Sequence, residues 1–450
     1  MRALIKYVTA LAGAAGLLAA GAGTATAGGN LTWRDCYDGL ACAEIRVPAD
    51  WDHPAGGETV TVPLLKIPAR ETKLGSLLVN PGGPARSIPN FALPGYRDQF
   101  ADLAARFDVV VFDPRGLDVT CPAPVPVALP VPLVKSAYDV YAAANARFAA
   151  DCAPAMAGLR GHLDARQVAH DMDAIRAGLG EPRLTYFGSS YGTVYGQAYA
   201  GLFGRRVGRM YLDSTLDHTR PDPVAWTRAG AVTAERNLFR MAGWCAADAG
   251  CALHGRDVIA VWDRLLTTPD AVTIVRWAAA RIGDDRSWPA LTTGLAQAET
   301  GDTSAMVPRP GPPDTRLART AFCADFAYPD GFPALKRVED ELREAAPRLG
   351  WAVQPWRVSG QCSGLPRIGL NPPAPLPAMP RVLIANGDDD PLTPAEHGRR
   401  VAAQLHGTYL PAAGNHGLYL RGDACVRDHV HRFLWTGELP APGARCGTPN

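Results

Sequence analysis

Leu184-Thr185-Tyr186-Phe187-Gly188-Ser189-Ser190-Tyr191-Gly192 decides how the chain is read. Four residues of strand character run into G-x-S-x-G, and a helix-like segment follows. Small residues two before and two after the serine let the backbone turn sharply. The Ser190 hydroxyl is thereby projected from a strained strand-to-helix corner. Outward from this corner, residues 74–80, 107–112, 207–212, 381–386 and 408–410 are short apolar runs that read as further strands. Residues 164–179 carry Val168, Met172, Ile175 and Leu179 on one helical face, between an Asp164 cap and a Gly180 stop. Residues 425–435 read as a closing helix. Strands alternating with helices predict an α/β fold: a mostly parallel sheet with helices on both faces.

The rhythm changes between Pro221 and Pro380. Helical stretches dominate there (232–244, 258–266 and 335–346), and tryptophans cluster between Trp226 and Trp356. Proline-rich breaks fall at 121–134, 308–313 and 372–380. The expected organisation is a signal peptide over 1–27 and a first part of the α/β core over 28–220. A helical lid is inserted over 221–380, and the core closes over 381–450.

Composition narrows the function classes. Forty-five basic residues against 44 acidic ones leave no electrostatic footprint for nucleic acid. With 47% hydrophobic residues the chain is not disordered. Arg2 and Lys6, the small apolar run Tyr7 to Ala20, and Ala25-Thr26-Ala27 form the three parts of a secretory signal peptide. Gly13 and Gly16 interrupt the run, so it predicts export with no membrane anchor after cleavage. The ten cysteines all follow this segment, and an even number in an exported chain reads as disulfides. Neighbour pairing closes the shortest loops: Cys36 with Cys42, Cys121 with Cys152, Cys245 with Cys251, Cys323 with Cys362, and Cys425 with Cys446. The spacings are too wide for a zinc site, and no metal or cofactor is expected.

A serine nucleophile needs a general base, and the base needs an orienting acid, in the chain order Ser, acid, His for a strand-corner serine. Downstream, a strand ends in Asn386-Gly387 and runs into Asp388-Asp389-Asp390. A carboxylate just past a strand end is where the acid belongs, and chemistry alone leaves three choices. His416 follows the last strand within Gly414-Asn415-His416-Gly417 and can reach back over the serine. His397 and His406 flank a helix, and His429 and His431 lie in the closing helix, which makes them poorer candidates. An oxyanion needs two backbone N–H donors. Tyr191, after the nucleophile, supplies one; the early loop Asn80-Pro81-Gly82-Gly83-Pro84 supplies the other, assigned to Gly83.

Five segments together resemble the secreted bacterial tripeptidyl aminopeptidases, in the proline-iminopeptidase-like branch of the α/β-hydrolases. They are Asn80–Pro84, Phe112-Asp113-Pro114-Arg115-Gly116, Gly188–Gly192, Asp390-Pro391-Leu392-Thr393-Pro394 and Gly414–Gly417. The resemblance extends to Trp244-Cys245 through Cys251 and to the tail from Arg381 to Cys446. It implies Ser190 as nucleophile, His416 as base, Asp390 as orienter, and a lid over the site. It also implies an acidic lid group for a substrate's N-terminal ammonium, with Glu235, Glu299 and Asp325 all open. One departure stands out. The family loop continues Pro-Gly-Gly-Ser-Gly, whereas this chain reads Pro84-Ala85-Arg86-Ser87-Ile88. Arg86 facing the cleft would favour a substrate carboxylate.

The expectation is a secreted serine exopeptidase that releases short peptides, including tripeptides, from free N-termini. A carboxylesterase with the same triad is the first alternative. A catalytically inactive binding protein on this scaffold, supported only by the altered loop, is the second.

Overall fold

The computed structural model describes residues 31–447 except 56, 127–128, 221, 308–316, 327, 329, 354–359 and 380. The signal-peptide segment and the 308–313 break lie outside the described residues. Nine strands form one sheet: β1 (Arg34–Asp35), β2 (Ala41–Pro48), β3 (Thr59–Ile67), β4 (Ser76–Asn80), β5 (Asp108–Phe112), β6 (Leu184–Ser189), β7 (Val207–Asp213), β8 (Val382–Gly387) and β9 (Thr408–Ala412). Described helices of at least eight residues begin with α1 (Lys135–Met156), α2 (Ala165–Gly178), α3 (Gly192–Phe203) and α4 (Pro223–Ala247). They continue with α5 (Val258–Leu265), α6 (Ala271–Ala279), α7 (Trp288–Ala298) and α8 (Ala318–Asp325). The last three are α9 (Phe332–Ala345), α10 (Ala395–Leu405) and α11 (Ala424–Thr436).

The spatial strand order is β1-β2-β3-β5-β4-β6-β7-β8-β9. β1 to β3 pair antiparallel, β3 joins β5 antiparallel, and all pairs from β5 through β9 are parallel. The parallel part is the predicted α/β core. The central strands are largely apolar because both faces are covered. Leu78, Val110, Tyr186, Met210 and Ile384 point into one core layer. Their neighbours Leu77, Val79, Val109, Phe187 and Leu383 point into the other.

The antiparallel start was not anticipated. β2 alternates buried Ala43, Ile45 and Val47 with exposed Glu44 and Arg46, as a strand with one covered face must. α1 was also missed. It is rich in alanine, and no side chain caps its first turn.

Two polar devices tie the layers. Asp164 caps α2 by accepting the N–H groups of Arg166 (2.9 Å) and Gln167 (3.3 Å). Arg115 is fully buried and forks onto Asp171 of α2 (2.7 and 2.5 Å) while donating to the carbonyls of Pro48 and Ala49. The D-P-R-G turn thus joins β5, the end of β2 and α2. Removing one member of such a buried pair typically costs about 3–5 kcal/mol.

The helices after β7 build a separate apolar core around Leu238, Met241, Trp262, Ile274, Leu291 and Leu342, and Leu129, Leu133, Tyr138 and Tyr141 pack into it. All five expected disulfides are present: Cys36–Cys42, Cys121–Cys152, Cys245–Cys251, Cys323–Cys362 and Cys425–Cys446. Among the described residues no helix is long and apolar enough to cross a membrane.

Candidate active site

Sheet order fixes where a site forms. The chain leaves β4 for β5 on one side and later enters β6 on the other. Loops after β4 and β6 therefore part at this switch and leave a crevice beyond the strand ends. Asn80 pairs with Gly188 in register, so the loop after β4 meets the serine turn directly.

Ser190 has φ +53°, a left-handed conformation that costs a non-glycine residue about 1–2 kcal/mol. Its neighbours hold it there. The Ser190 N–H donates to the Asp213 carbonyl (2.9 Å), and its carbonyl accepts from Thr193 N–H (3.0 Å) and Oγ1 (2.6 Å). The two motif glycines are required by space. A Cβ on Gly192 would lie 2.2 Å from the Asn80 carbonyl oxygen, and one on Gly188 2.7 Å from that of Gly192.

The structure separates the three aspartates. Asp388 pairs with Arg445, and Asp389 with Arg240 (2.7 Å). Asp390 alone is fully buried, and its Oδ2 lies 2.7 Å from His416 Nδ1. Asp390 also accepts the N–H groups of Leu392 (2.8 Å) and Thr393 (3.1 Å) and the Thr393 hydroxyl. Burial would push this carboxyl up, but His416 and the Thr393 donors outweigh it and hold it below the usual range. Burial likewise disfavours a charged His416. Asp390, with a smaller contribution from Asp213, overcomes this and raises the imidazole above its ordinary value.

Sequence reading missed Thr393 and Asp213 as parts of the site. The Thr393 hydroxyl lies 3.2 Å from His416 Nδ1 as well as bonding Asp390. Asp213 ends β7 and accepts the N–H groups of Leu418 (3.2 Å) and Tyr419 (2.9 Å), which pins the loop carrying His416. Thr393 lies within the Asp390–Pro394 segment and Asp213 directly follows the 207–212 strand, but only the fold brings them to the histidine.

Ser190 and His416 face one cavity of about 340 Å³ together with Gly83, Tyr191, Leu216, Trp226, Phe322 and Leu392. No hydrogen bond joins the serine hydroxyl to the imidazole among the described residues. Gly82 spends its N–H on Asn80 Oδ1 (3.0 Å) and passes close to the serine turn; a Cβ there would sit 2.7 Å from the Tyr191 nitrogen. Within the described structure no group claims the N–H of Gly83 or of Tyr191.

The altered loop is accommodated without strain. Only Gly82 (φ +100°) and Gly83 (φ +126°) take positive φ, and both are glycine; residues 84–88 do not. Arg86 is not among the residues lining the serine cavity, and its Nε donates to Asp113 Oδ2 (2.8 Å). The other oxygen of Asp113 accepts the N–H groups of Ser87 (2.6 Å) and Ile88 (2.9 Å). Arg86 therefore braces this loop.

The three acidic candidates for an ammonium also lie elsewhere. Glu235 accepts the N–H groups of Arg348 (3.1 Å) and Leu349 (3.0 Å), all within the helical segment between β7 and β8. Glu299 pairs with Arg256 (2.7 Å) and Arg264 (2.8 Å). Asp325 is buried behind Tyr191. No carboxylate is among the described residues lining the serine cavity. A hydroxyl, an imidazole bound to a carboxylate and two unclaimed N–H groups are the parts that acyl transfer requires.

The comparisons agree with this chemistry. A family model described as alpha/beta hydrolase fold matches residues 75–423. Serine protease Hip1 of Mycobacterium tuberculosis is 30% identical over 469 residues, covering 91% of this chain and 87% of that protein. Tripeptidyl aminopeptidase of Streptomyces lividans is 27% identical over 491 residues, covering 96% and 89%. Carboxylesterase B of M. tuberculosis is 29% identical over 492 residues, covering 92% and 89%. The chain belongs to the tripeptidyl-aminopeptidase-like group of the α/β-hydrolase fold family and is a serine hydrolase.

Proposed function

We propose that this chain is a secreted serine exopeptidase that removes short peptides, including tripeptides, from free N-termini. One observation carries the chemistry: Ser190 shares a cavity with an imidazole whose Nδ1 is held 2.7 Å from the buried Asp390. Ser190 Oγ attacks the scissile carbonyl carbon while His416 Nε2 takes its proton. The carbonyl oxygen, now negative, is received by the N–H groups of Gly83 and Tyr191. Collapse breaks the C–N bond, and His416 returns the proton to the leaving amine. Water then attacks the acyl-enzyme by the same route, which releases the acyl product and restores Ser190.

Two of the three relatives above bear peptidase names, which supports a peptide substrate. Five disulfides support an oxidising compartment, and with the leader-like first 27 residues they support export. A carboxylesterase is the second reading. Leu216, Trp226, Phe322 and Leu392 give the cavity an apolar lining suited to an acyl group, and one relative bears that name.

The test is hydrolysis of tripeptide anilides with free and blocked N-termini beside short-chain esters, for wild type and Ser190→Ala. Preference for free N-termini, lost in the variant, is the expected result. Equal rates on free and blocked peptides would rule out the exopeptidase, and serine-dependent turnover of esters alone would establish the second reading.

A further inference from the structure

Tyr191 joins the two halves of the site. Its backbone N–H follows Ser190 at the cavity, while its side chain runs under the lid. The ring is buried against Phe322 (centroids 5.8 Å apart) and Phe326 (6.2 Å), and edge-on to Tyr195 (5.4 Å). Its hydroxyl donates to Asp325 Oδ2 at 2.5 Å. Asp325 is the last residue of α8, and the same helix lines the cavity through Ala318, Arg319 and Phe322.

The carboxylate is fixed from several sides. Asp325 Oδ1 accepts the Ala165 N–H at the start of α2 (2.8 Å) and Asn371 Nδ2 (2.8 Å), and its backbone carbonyl accepts from His218 Nε2 (2.7 Å). The segments of α2, α8, Asn371 and the nucleophile turn therefore meet at one side chain. A charge-assisted bond of this kind is stronger than a neutral one. The direction of a backbone N–H is set by the dihedrals beside it, and those of Ser190 are strained. A side chain clamped at its far end removes the rotation through which the turn would relax.

We propose that Asp325 is a positioning residue for the oxyanion site: it clamps the Tyr191 side chain from the lid, so that helix α8 and the oxyanion N–H are held as one unit. This rests on the roles given above to Ser190 and to the N–H groups of Gly83 and Tyr191.

The test compares wild type, Tyr191→Phe, Asp325→Asn and the double variant in p-nitrophenyl acetate hydrolysis. It also measures inhibition by an alkylboronic acid, whose tetrahedral adduct on Ser190 places an oxygen where the oxyanion forms. Thermal unfolding establishes that each variant is folded; Tyr191→Phe removes only one oxygen. Each single variant is expected to lower kcat roughly tenfold, a fraction of the loss on deleting an oxyanion donor, with KM within about twofold. Boronate affinity should fall in proportion, and the double variant should be no worse than the poorer single. A merely structural role would lower Tm and leave boronate affinity unchanged. Unchanged kcat and boronate affinity in folded variants, or additive losses in the double, would overturn the proposal while the functional reading stands. A wild type that neither turns over the ester nor binds boronate through Ser190 would overturn both.

Discussion

The carboxyl edge of the sheet and the helices inserted between β7 and β8, which we read as a lid, contribute to one cavity in different ways. On the sheet side the backbone and the imidazole are held by polar partners. Ser190 is held by Asp213 and Thr193, His416 by Asp390, and the His416 loop by Asp213. On the side of the inserted helices, Trp226 and Phe322 present apolar surface, and both pack into the same core layer as Tyr191 and Tyr195. Direct ties between the halves include Trp226 Nε1 to the Leu392 carbonyl (2.8 Å), Asn237 Nδ2 to the Asp389 carbonyl (2.8 Å), Arg240 to Asp389 (2.7 Å), and Ala165 N–H and Tyr191 to Asp325. On the proposed reading, bond-breaking falls to the sheet edge and substrate choice to the inserted helices. Changes at the edge should then lower turnover of every substrate, and changes in the lid should reorder substrates.

The largest effect is expected at the acid. Asp390→Asn should lower kcat about 10⁴-fold for peptides and esters alike, because the imidazole loses its orienting carboxylate. The pH profile carries the sign. His416 must be neutral to accept the serine proton, and its folded value lies above the ordinary 6.5. Wild-type kcat/KM should therefore rise with pH through a midpoint above 6.5. In the variant burial remains while Asp390's attraction is gone, so the midpoint should move down. A midpoint that stays put would separate Asp390 from the base.

Gly192→Ala comes next. The 2.2 Å approach to the Asn80 carbonyl must open, and we expect a loss of about 3 kcal/mol in urea unfolding. Gly201→Ala, with nothing within 4 Å of its added carbon, is the control in the same helix.

Trp226→Ala tests the lid. It should change the ratio of kcat/KM for bulky over small acyl groups by roughly 10–100-fold, the usual worth of an apolar contact of this size. An equal fall for all substrates would break the division of labour. The smallest effect is expected for Arg86→Ala. The side chain is outside the cavity and partly exposed, so kcat and KM for anionic and neutral substrates should stay within about threefold.

Legibility in the sequence follows the same division. β4 through β8 are short, largely apolar runs because the sheet there is covered on both faces, and such runs show in the sequence. Ser190, His416 and Asp390 follow strand ends, so each could be named from its flanks. Asp388 and Asp389 sit in the same context, and resemblance rather than chemistry chose among the three. The lid offers no such landmarks. Glu235, Glu299 and Asp325 were equal candidates because helical spacing does not say which neighbouring helix each faces. Arg86 misled for a related reason: its partner, Asp113, is 27 residues away and becomes its neighbour only when β4 and β5 pair. Antiparallel β2 was hidden by its alternation, and α1 by its weak cap.

The most direct measurement is the site of covalent labelling by a fluorophosphonate, located by peptide mapping. The adduct should fall on the peptide containing Ser190, be absent in Ser190→Ala, and form far more slowly in His416→Ala. An adduct on another residue, or labelling of Ser190→Ala at the wild-type rate, would contradict the assignment of Ser190 as the nucleophile.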